Sequence, residues 1–220
     1  MNNLTIHSGE TFEQVFLNEP SVDLHIVQEA GSHVKIHILN VQSDDVQCTK
    51  EAVNRVTVEQ QGEGCSTEIY ALAYLNGQQQ VTTETRVTHA VGGGTSDQLI
   101  KFVLDGEAKG RFVGELKIEQ DAQKVEAHQT NRNILLSETA EMRTQPQLEI
   151  YADDVKATHG ASTGQLDDTA LFYMQQRGIG AQKARQLLVG AFIKDVLVTI
   201  GEDNNALRER LLNAVDGIIE

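Results

Sequence analysis

The sequence predicts a mainly β protein in which a β-solenoid body is followed by a C-terminal helical segment. Between about residues 4 and 151, apolar and polar residues alternate in short runs, the period-2 pattern of half-buried strands. The runs VDLHI (22–26) and VKIHI (34–38) repeat one pattern twelve residues apart, as successive rungs of a solenoid would. From about residue 168, apolar residues recur at the three- and four-residue spacing of amphipathic helices.

Six further runs continue the strand series, at residues 53–60, 66–75, 81–91, 98–106, 112–120 and 123–136. Turn signals separate them, among them Asn76-Gly77 and the glycine triplet at 92–94. Strands of this length and regular spacing are compatible with a sandwich, a barrel or a solenoid. Outward positions rich in Thr, Gln and Asn favour the solenoid, and an antiparallel sandwich stays open on periodicity alone.

Three helices are predicted after the strands. The first spans about residues 168–177, is capped in front by the Asp pair at 167–168, and ends at Gly178. A third helix spans roughly 205–219, with apolar residues on one face. The second helix begins near residue 181, and its predicted apolar stripe is Ala184, Leu187, Leu188, Ala191, Phe192 and Val196.

Composition argues against several classes of function. A net charge of −14 over 220 residues disfavours nucleic acid or an anionic membrane as a partner, because both are bound through clustered Lys and Arg. Cys48 and Cys65 match no zinc or redox spacing and are predicted to be buried thiols. The first residues lack a basic and apolar leader, and no run approaches the ~18 apolar residues of a membrane span, so a cytosolic protein is expected.

The junction between strands and helices has the most distinctive sequence. A strand that begins near Leu148 is expected to pass into a turn of small residues, in which His159 lies beside Gly160 and Gly164. Such a turn exposes the imidazole, and a neutral imidazole is a common metal ligand. A lone histidine at this spacing is nevertheless more often a solvated side chain than a ligand.

Other polar side chains are weaker candidates. His25 and His37 occupy equivalent outward positions in their strands, which favours a solvent-facing role over a paired metal site. Asp153 and Asp154 would point to opposite faces of a strand, so their carboxylates would not converge on one substrate. The Asp pair at 167–168 fits a helix N-terminus, where negative charge is favourable.

The helical segment leaves two alternatives open. It can cover the last edge strand of the β body, or it can present a surface to another protein. If Leu187, Leu188 and Phe192 pack on the body, an exposed set remains for a partner. That set is Phe172, Tyr173 and Arg177.

Two stretches resemble the SufB/SufD family, whose members are subunits of the SUF iron–sulfur cluster assembly complex. They are QLEIYADDVKATHGASTGQLDDTALFYMQQRGI (147–179) and KFVLDGEAKGRFVGELKIEQDAQKVEAHQTNRNILLSETAEM (101–142). The resemblance runs from about residue 65 to 200. HGAS at 159–162 is similar to the SufD branch, whereas the SufB branch usually has a His-Glu pattern there.

The resemblance implies a right-handed β-helix over residues 1–160 and a helical segment over 161–220. In that family the β-helix pairs with a SufB-type paralogue, or with a second copy of itself, through its terminal strands. Here the interface would include Asp153, Asp154, Lys156 and Thr158. The C-terminal helices dock the SufC-type ATPase, through a surface that here would consist of Phe172, Tyr173, Arg177, Leu187, Leu188 and Phe192. His159 corresponds to an exposed histidine that is implicated in iron entry or cluster formation at the subunit interface.

The sequence departs from the family pattern in two places. A Cys commonly lies two residues before the histidine, but Ala157 stands there, so the turn offers one imidazole. Clusters are normally held by about four ligands. No stably bound cofactor is therefore expected, and iron or a nascent cluster at His159 would share ligands with a partner chain. The N-terminal helical region of longer members is also expected to be missing, because Leu4 already has a strand pattern.

These features predict a cytosolic, non-catalytic SufD-like scaffold subunit of cluster assembly, with two alternatives. A β-helix enzyme acting on polysaccharide would need convergent carboxylates about 5–9.5 Å apart and an aromatic sugar platform. An aromatic content of 5% disfavours that enzyme. A stand-alone homodimeric interaction module without an ATPase partner is compatible with the same strands and helices.

Overall fold

The structure is a computed structural model that describes residues 2–41, 48–201 and 204–218, with side chains up to Leu211. Over these residues the chain forms twelve strands and then three helices, and the strands form two six-stranded parallel sheets, A and B. Sheet A contains β1 (Asn2–Ile6), β3 (Ser21–Gln28), β5 (Glu51–Gln60), β7 (Gln80–His89), β9 (Lys109–Ile118) and β11 (Glu141–Ile150). Sheet B contains β2 (Thr11–Leu17), β4 (His33–Val41), β6 (Ser66–Leu75), β8 (Thr95–Leu104), β10 (Glu126–Leu135) and β12 (Lys156–Gly164).

The two sheets are the walls of a parallel β-solenoid. The chain passes from sheet A to sheet B and back, and each strand pairs with the strand two earlier. After the first coil, the register advances by 29 residues in the pairing of Glu51 with Gln80 and by 33 in the pairing of His33 with Ser66. The predicted β-helix with C-terminal helices is therefore confirmed, and the antiparallel sandwich is excluded.

Two details differ from the sequence prediction. The matching runs at 22–26 and 34–38 lie in β3 and β4, which belong to opposite sheets of one coil rather than to stacked rungs. They share a pattern because each must turn one apolar face to the same lumen. The expected end of the body at residue 160 falls inside β12, which stays paired with β10 as far as Gly164.

The lumen between the sheets contains the main hydrophobic core. Ile26, Ile36 and Ile69 are completely buried there, and each such side chain contributes about 1.5–3 kcal/mol by leaving water. The corners between strands stack as closely as the strands do. At Gly106, whose φ is 64°, an added Cβ would lie 3.0 Å from the backbone nitrogen of Gly77 in the preceding coil. Only glycine combines this positive φ with so close an approach.

The helices α1 (Asp168–Gln176), α2 (Ala181–Leu197) and α3 (Asn205–Ile218) follow the solenoid. A second core forms where α2 packs on the outer face of sheet B. It contains Leu39, Val41, Leu72, Tyr74 and Val103 from the sheet and Val189, Ile193, Val196, Leu197, Ile200 and Leu211 from the helical segment. No helix among the described residues is long and apolar enough to cross a membrane.

The buried face of α2 differs from the predicted apolar stripe. Ala184 and Val196 are buried as expected, but Leu187 is 40% exposed. Leu188 and Phe192 are half-buried. The helix contacts the sheet through a row one position further round, which contains Val189, Ile193 and Leu197.

A buried cation also joins α2 to sheet B. Lys101 on β8 is 1% exposed, and its Nζ donates to Asp195 Oδ2 at 2.6 Å and to the carbonyl oxygen of Phe192 at 2.5 Å. The ammonium also lies 4.5 Å from the centroid of the Phe192 ring. Burial lowers the pKa of Lys101, and Asp195 opposes that shift.

The helical segment also changes the environment of one histidine. His37 points out of the solenoid as expected, but it is completely buried, and the residues that follow α2 lie against it. Its Nε2 lies 2.9 Å from Oγ1 of Thr199, and burial, with the nearby Lys35, lowers the pKa of His37 to about 4. His25 stays half-buried, with its Nε2 3.1 Å from a carboxylate oxygen of Glu59.

Candidate functional site

The C-terminal end of the solenoid is open. β11 and β12 are the last strands of their sheets, and no other strand of the described residues pairs with their outer edges. Ile150 on β11 is 41% exposed, whereas its register partner Ile118 is completely buried. Tyr151, which follows β11, is 57% exposed. Unpaired strand edges beside exposed apolar side chains are typical of a surface that receives a partner.

His159 lies at this open end, but the predicted glycine turn is wrong. The residues around it form β12, in regular parallel register with Gln129 opposite His159 and Thr130 opposite Gly160. Neither Gly160 nor Gly164 has a positive φ, so both adopt extended backbone. The small residues form an edge strand because β10 offers their backbone groups a ladder of hydrogen-bond partners. His159 is nevertheless exposed, as expected.

The register places His159 in an inward-facing column of the solenoid. Across successive coils, sheet B aligns Ile36, Ile69, Gln98, Gln129 and His159. The first four side chains are buried, and His159 is exposed because it belongs to the last coil. Among the described residues, no side chain or backbone group forms a hydrogen bond with its ring. The imidazole is therefore available at the mouth of the lumen.

The four residues expected at a subunit interface lie together at the open end. Asp153 and Asp154 lie in the loop between β11 and β12, not on a strand as expected, while Lys156 and Thr158 lie on β12. All four are exposed. The Thr158 hydroxyl lies 2.8 Å from Nδ1 of His128 on the neighbouring strand, which orders this edge. The structure therefore brings these residues to one surface.

The hairpin of α1 and α2 forms a second exposed surface. The carboxylate of Asp167 caps α1 by accepting the Thr169 N–H at 2.8 Å, and Gly178, with φ 83°, follows its end. α1 has no buried residue. Phe172 and Tyr173 are 62% and 59% exposed, which is unusual for large aromatic side chains.

The residues expected to dock an ATPase divide into two groups. Phe172, Tyr173, Arg177 and Leu187 are exposed, and the Arg177 guanidinium donates to the Tyr173 hydroxyl at 2.7 Å. Leu188 and Phe192 are half-buried, and Phe192 packs against the core between α2 and sheet B. The helical segment therefore packs on the outer face of sheet B rather than over the last edge strand, and it leaves the apolar side chains of Phe172, Tyr173 and Leu187 exposed.

Comparison with known sequences identifies the family. A sequence model described as "SUF system FeS cluster assembly, SufBD core domain" matches residues 20–192. The chain belongs to the SufBD family. It is 36% identical over 151 residues to the iron–sulfur cluster assembly protein SufD of Escherichia coli, a match that covers 69% of this chain and 35% of that protein. It is also 34% identical over 195 residues to an iron–sulfur cluster assembly SufBD family protein of Synechocystis, covering 84% and 43% of the two chains.

Relatives of this SufBD chain also include the chloroplastic protein ABCI7 of Arabidopsis thaliana. The identity is 31% over 167 residues, covering 76% of this chain and 35% of that protein. The chain thus spans between about a third and a half of the length of these relatives. The resemblance drawn from residues 101–142 and 147–179 is confirmed.

The open end of this SufBD chain exposes one imidazole, that of His159. Within the described residues, no group of three or more His, Cys, Asp or Glu side chains is arranged to hold a metal ion. Cys48 and Cys65 are buried thiols that form no disulfide bond, as expected. The Cys65 thiol donates to the carbonyl oxygen of Glu29 at 3.0 Å, so it is held at a corner of the solenoid between β5 and β6.

Sequence reasoning missed the polar side chains of the lumen. Gln98, Gln129, Asn131 and Asn133 are at most 4% exposed. The signal is present in AHQTNRN (127–133), where strict alternation places three of these amides on the same face as the buried Ala127. The expectation that Gln and Asn face outward overrode that alternation.

Proposed function

We propose that this chain is a SufD-like, non-catalytic scaffold subunit of iron–sulfur cluster assembly and that it acts in the cytoplasm. Membership of the SufBD family supports a role in iron–sulfur cluster assembly. The observation that carries the proposal is the combination, in one such chain, of an open solenoid end that exposes His159 and a helical hairpin with exposed aromatic side chains. The open end would pair with a SufB-type paralogue or a second copy of the chain, and the hairpin would dock a SufC-type ATPase.

The pairing is supported by the edges of β11 and β12. A strand edge offers a row of backbone donors and acceptors, and a partner's terminal strands can extend both sheets across it. Ile150 and Tyr151 would then leave water at the centre of the contact. Asp153, Asp154, Lys156 and Thr158 would lie on the same interface.

Iron, as the substrate of assembly, would meet His159 at that interface. One imidazole supplies one ligand, whereas a cluster is held by about four, mostly thiolates. Ala157 cannot add a thiolate to this strand. The remaining ligands would therefore come from the partner, so that iron or a nascent cluster is held only in the complex and only transiently.

Docking of the ATPase is supported by the way the helical segment is attached. Phe172, Tyr173 and Leu187 are exposed on the hairpin, while the opposite side of α2 is fixed to sheet B by the second core and by Lys101. A nucleotide-dependent change in the ATPase would act on the solenoid through this attachment. Such coupling requires that the ATPase contacts the hairpin differently in its two states.

The docking role is tested by size-exclusion chromatography and pull-down with a SufC-type ATPase, with and without nucleotide. We expect a complex with the wild-type chain and at least a tenfold weaker one with Phe172→Glu, because a charge replaces an aromatic anchor. Val198→Glu is the matched control, since Val198 is also an exposed apolar residue (50%) and lies away from α1. Absence of any complex in both nucleotide conditions would exclude docking, and a homodimer that binds no ATPase would support the stand-alone module.

The role of His159 is tested by His159→Ala in a complex reconstituted with a SufB-type paralogue and the ATPase. We expect normal folding by circular dichroism and a several-fold lower yield of cluster, followed by its visible absorbance. His25→Ala, on the outer face of β3 and away from the open end, is the control and should assemble clusters normally. Equal yields from the two variants would remove His159 from the mechanism.

A further inference from the structure

Buried polar side chains lie directly behind His159. Sheet B aligns Gln98, Gln129 and His159 in one inward column, where the earlier coils have Ile36 and Ile69. Gln98 and Gln129 are 0% and 1% exposed. An amide in the lumen is less favourable than a packed Ile unless each of its polar atoms finds a partner. The change from Ile to Gln therefore needs a physical reason.

In this column, some buried polar atoms lack a hydrogen-bond partner among the described residues, whereas the neighbouring amides are paired. Asn131 and Asn133 donate to each other's Oδ1 at 3.0 and 2.8 Å. Gln129 Nε2 lies 3.5 Å from Gln98 Oε1, to which it donates. Gln129 Oε1, however, is buried and has no hydrogen-bond partner among the described residues. One strong acceptor of the column is thus left unused.

The opposite wall of the lumen accommodates Gln129. Gly114 on sheet A faces it, and an added Cβ at Gly114 would lie 2.5 Å from Gln129 Nε2 and 2.5 Å from the Phe112 ring. The amide nitrogen is therefore directed towards Gly114 and towards Gln98 in the preceding coil. Because the two amide atoms diverge from one carbon, Oε1 points away from the Gln98 oxygen that the nitrogen contacts. The next coil contributes His159 at this register position.

We propose that Gln129 is a positioning residue for His159, in which Gln129 Oε1 accepts the N–H of the imidazole. The two residues are register partners, one strand spacing of about 4.8 Å apart, and rotation of the exposed His159 side chain closes the contact. The bond fixes one tautomer and leaves the lone pair of the other ring nitrogen at the open end. Histidines that bind metals generally donate their second ring nitrogen in this way. The use of that lone pair for iron rests on the function proposed above, whereas the hydrogen bond itself does not.

The tautomer of His159 in the full ¹⁵N-labelled chain tests the proposal, measured from the ring nitrogen shifts above the titration range of imidazole. We expect the wild-type ratio of tautomers to differ from that of a freely exposed imidazole. Gln129→Met, which keeps the length of the side chain and removes the acceptor, should restore the free ratio. Gln129→Glu should retain the wild-type ratio, and Gln147→Met, at an exposed outward position of β11, should not change it.

The outcomes separate this proposal from the assembly function. A wild-type ratio equal to that of free imidazole, or a ratio that Gln129→Met leaves unchanged, overturns the positioning role. If His159→Ala does not affect assembly but the tautomer depends on Gln129, the hydrogen bond is supported and the assembly role fails. If Gln129→Met does not fold, Gln98→Met takes its place, because it removes the acceptor that orients the Gln129 amide. It should also shift the tautomer ratio towards that of a free imidazole.

Discussion

The two halves of the solenoid repeat one backbone geometry with different interiors. In the coils of β3 to β6 the middle of the lumen is apolar, and its residues are Leu24, Ile36, Val56 and Ile69. In the coils of β7 to β12 the same register positions are occupied by Thr85, Gln98, Gly114, Gln129, Pro146 and His159. The strand pairing stays the same at the point where the lumen residues change from apolar to polar. The same ladder of backbone hydrogen bonds therefore accommodates apolar and polar side chains in the lumen, so the lumen residues can differ near the open end.

The apolar and polar lumen residues also differ in how they contribute to the stability of the fold. A buried Ile contributes about 1.5–3 kcal/mol through burial alone, whereas a buried amide contributes to stability only when its polar atoms are paired. At this register position the early coils use apolar packing, although Gln28 and Gln60 are buried elsewhere in them. The late coils give up some of that packing towards a surface that we propose to be functional, which is a common pattern at sites.

The largest expected effect comes from exchanging the two interiors. Ile69→Gln places in the early coils the residue that its register partner position 98 already holds. We expect a loss of about 3–5 kcal/mol in the free energy of unfolding, because a packed Ile is lost and an amide is buried among apolar groups without partners. The reciprocal variant Gln98→Ile should cost less, about 1–2 kcal/mol, because it removes a buried amide whose Nε2 has no partner among the described residues but leaves Gln129 Nε2 without its acceptor. Urea denaturation of both variants measures this, and equal losses would show that the two interiors do not differ in kind.

The boundary between the two interiors can be probed by pH. His89 on β7 is completely buried with its Nε2 2.9 Å from Ser96 Oγ, and burial lowers its pKa from 6.5 to about 4. Between these values the unfolded chain binds the proton and the folded chain does not, so stability falls as the pH falls from 7 to 4. The expected loss from His89 is roughly 3 kcal/mol. His89→Gln, which continues the column of Gln28 and Gln60, should remove this share.

Unfolding free energies at pH 7 and pH 4 give the result directly. From pH 7 to pH 4, the free energy of unfolding should fall less in His89→Gln than in the wild type. His37, whose pKa is lowered to a similar value beneath the helical segment, supplies a separate share that both proteins retain. An unchanged pH dependence in His89→Gln would mean that this ring is hydrated in the folded chain.

Much of the fold follows from the sequence, because alternation reports directly on which face of a strand is buried. The positions of most strands and the three helices follow in this way. The errors arise where tertiary partners decide. The stretch around His159 is predicted as a turn from its small residues, and only pairing with β10 makes it a strand. His37 is predicted to face solvent, and only the docked helical segment buries it.

The candidate site follows less completely. The exposure of His159 and of Phe172 follows from local sequence and from the family resemblance. The polar lumen behind His159 does not, because it depends on which residues stack 29 to 33 positions apart, and that register is fixed by corner lengths rather than by local pattern. Once the register is known, Gln98 and Gln129 fall into the column of His159 without further assumption.

The smallest expected effect is that of Leu148→Ala at the open end, which is compared with Leu116→Ala at the same register position of the preceding coil. Leu116 on β9 is completely buried, while its partner Leu148 on β11 is half-buried because no coil follows it. Leu116→Ala should therefore cost about 2–5 kcal/mol in the free energy of unfolding and Leu148→Ala less than about 1 kcal/mol. Addition of a partner that caps the open end should change this order: Leu148→Ala should weaken the association several-fold in a titration followed by light scattering, since its side chain then becomes part of a continuous core. If Leu148→Ala is as costly as Leu116→Ala in the isolated chain, the end is already closed by the chain itself, and the surface proposed for pairing is not available.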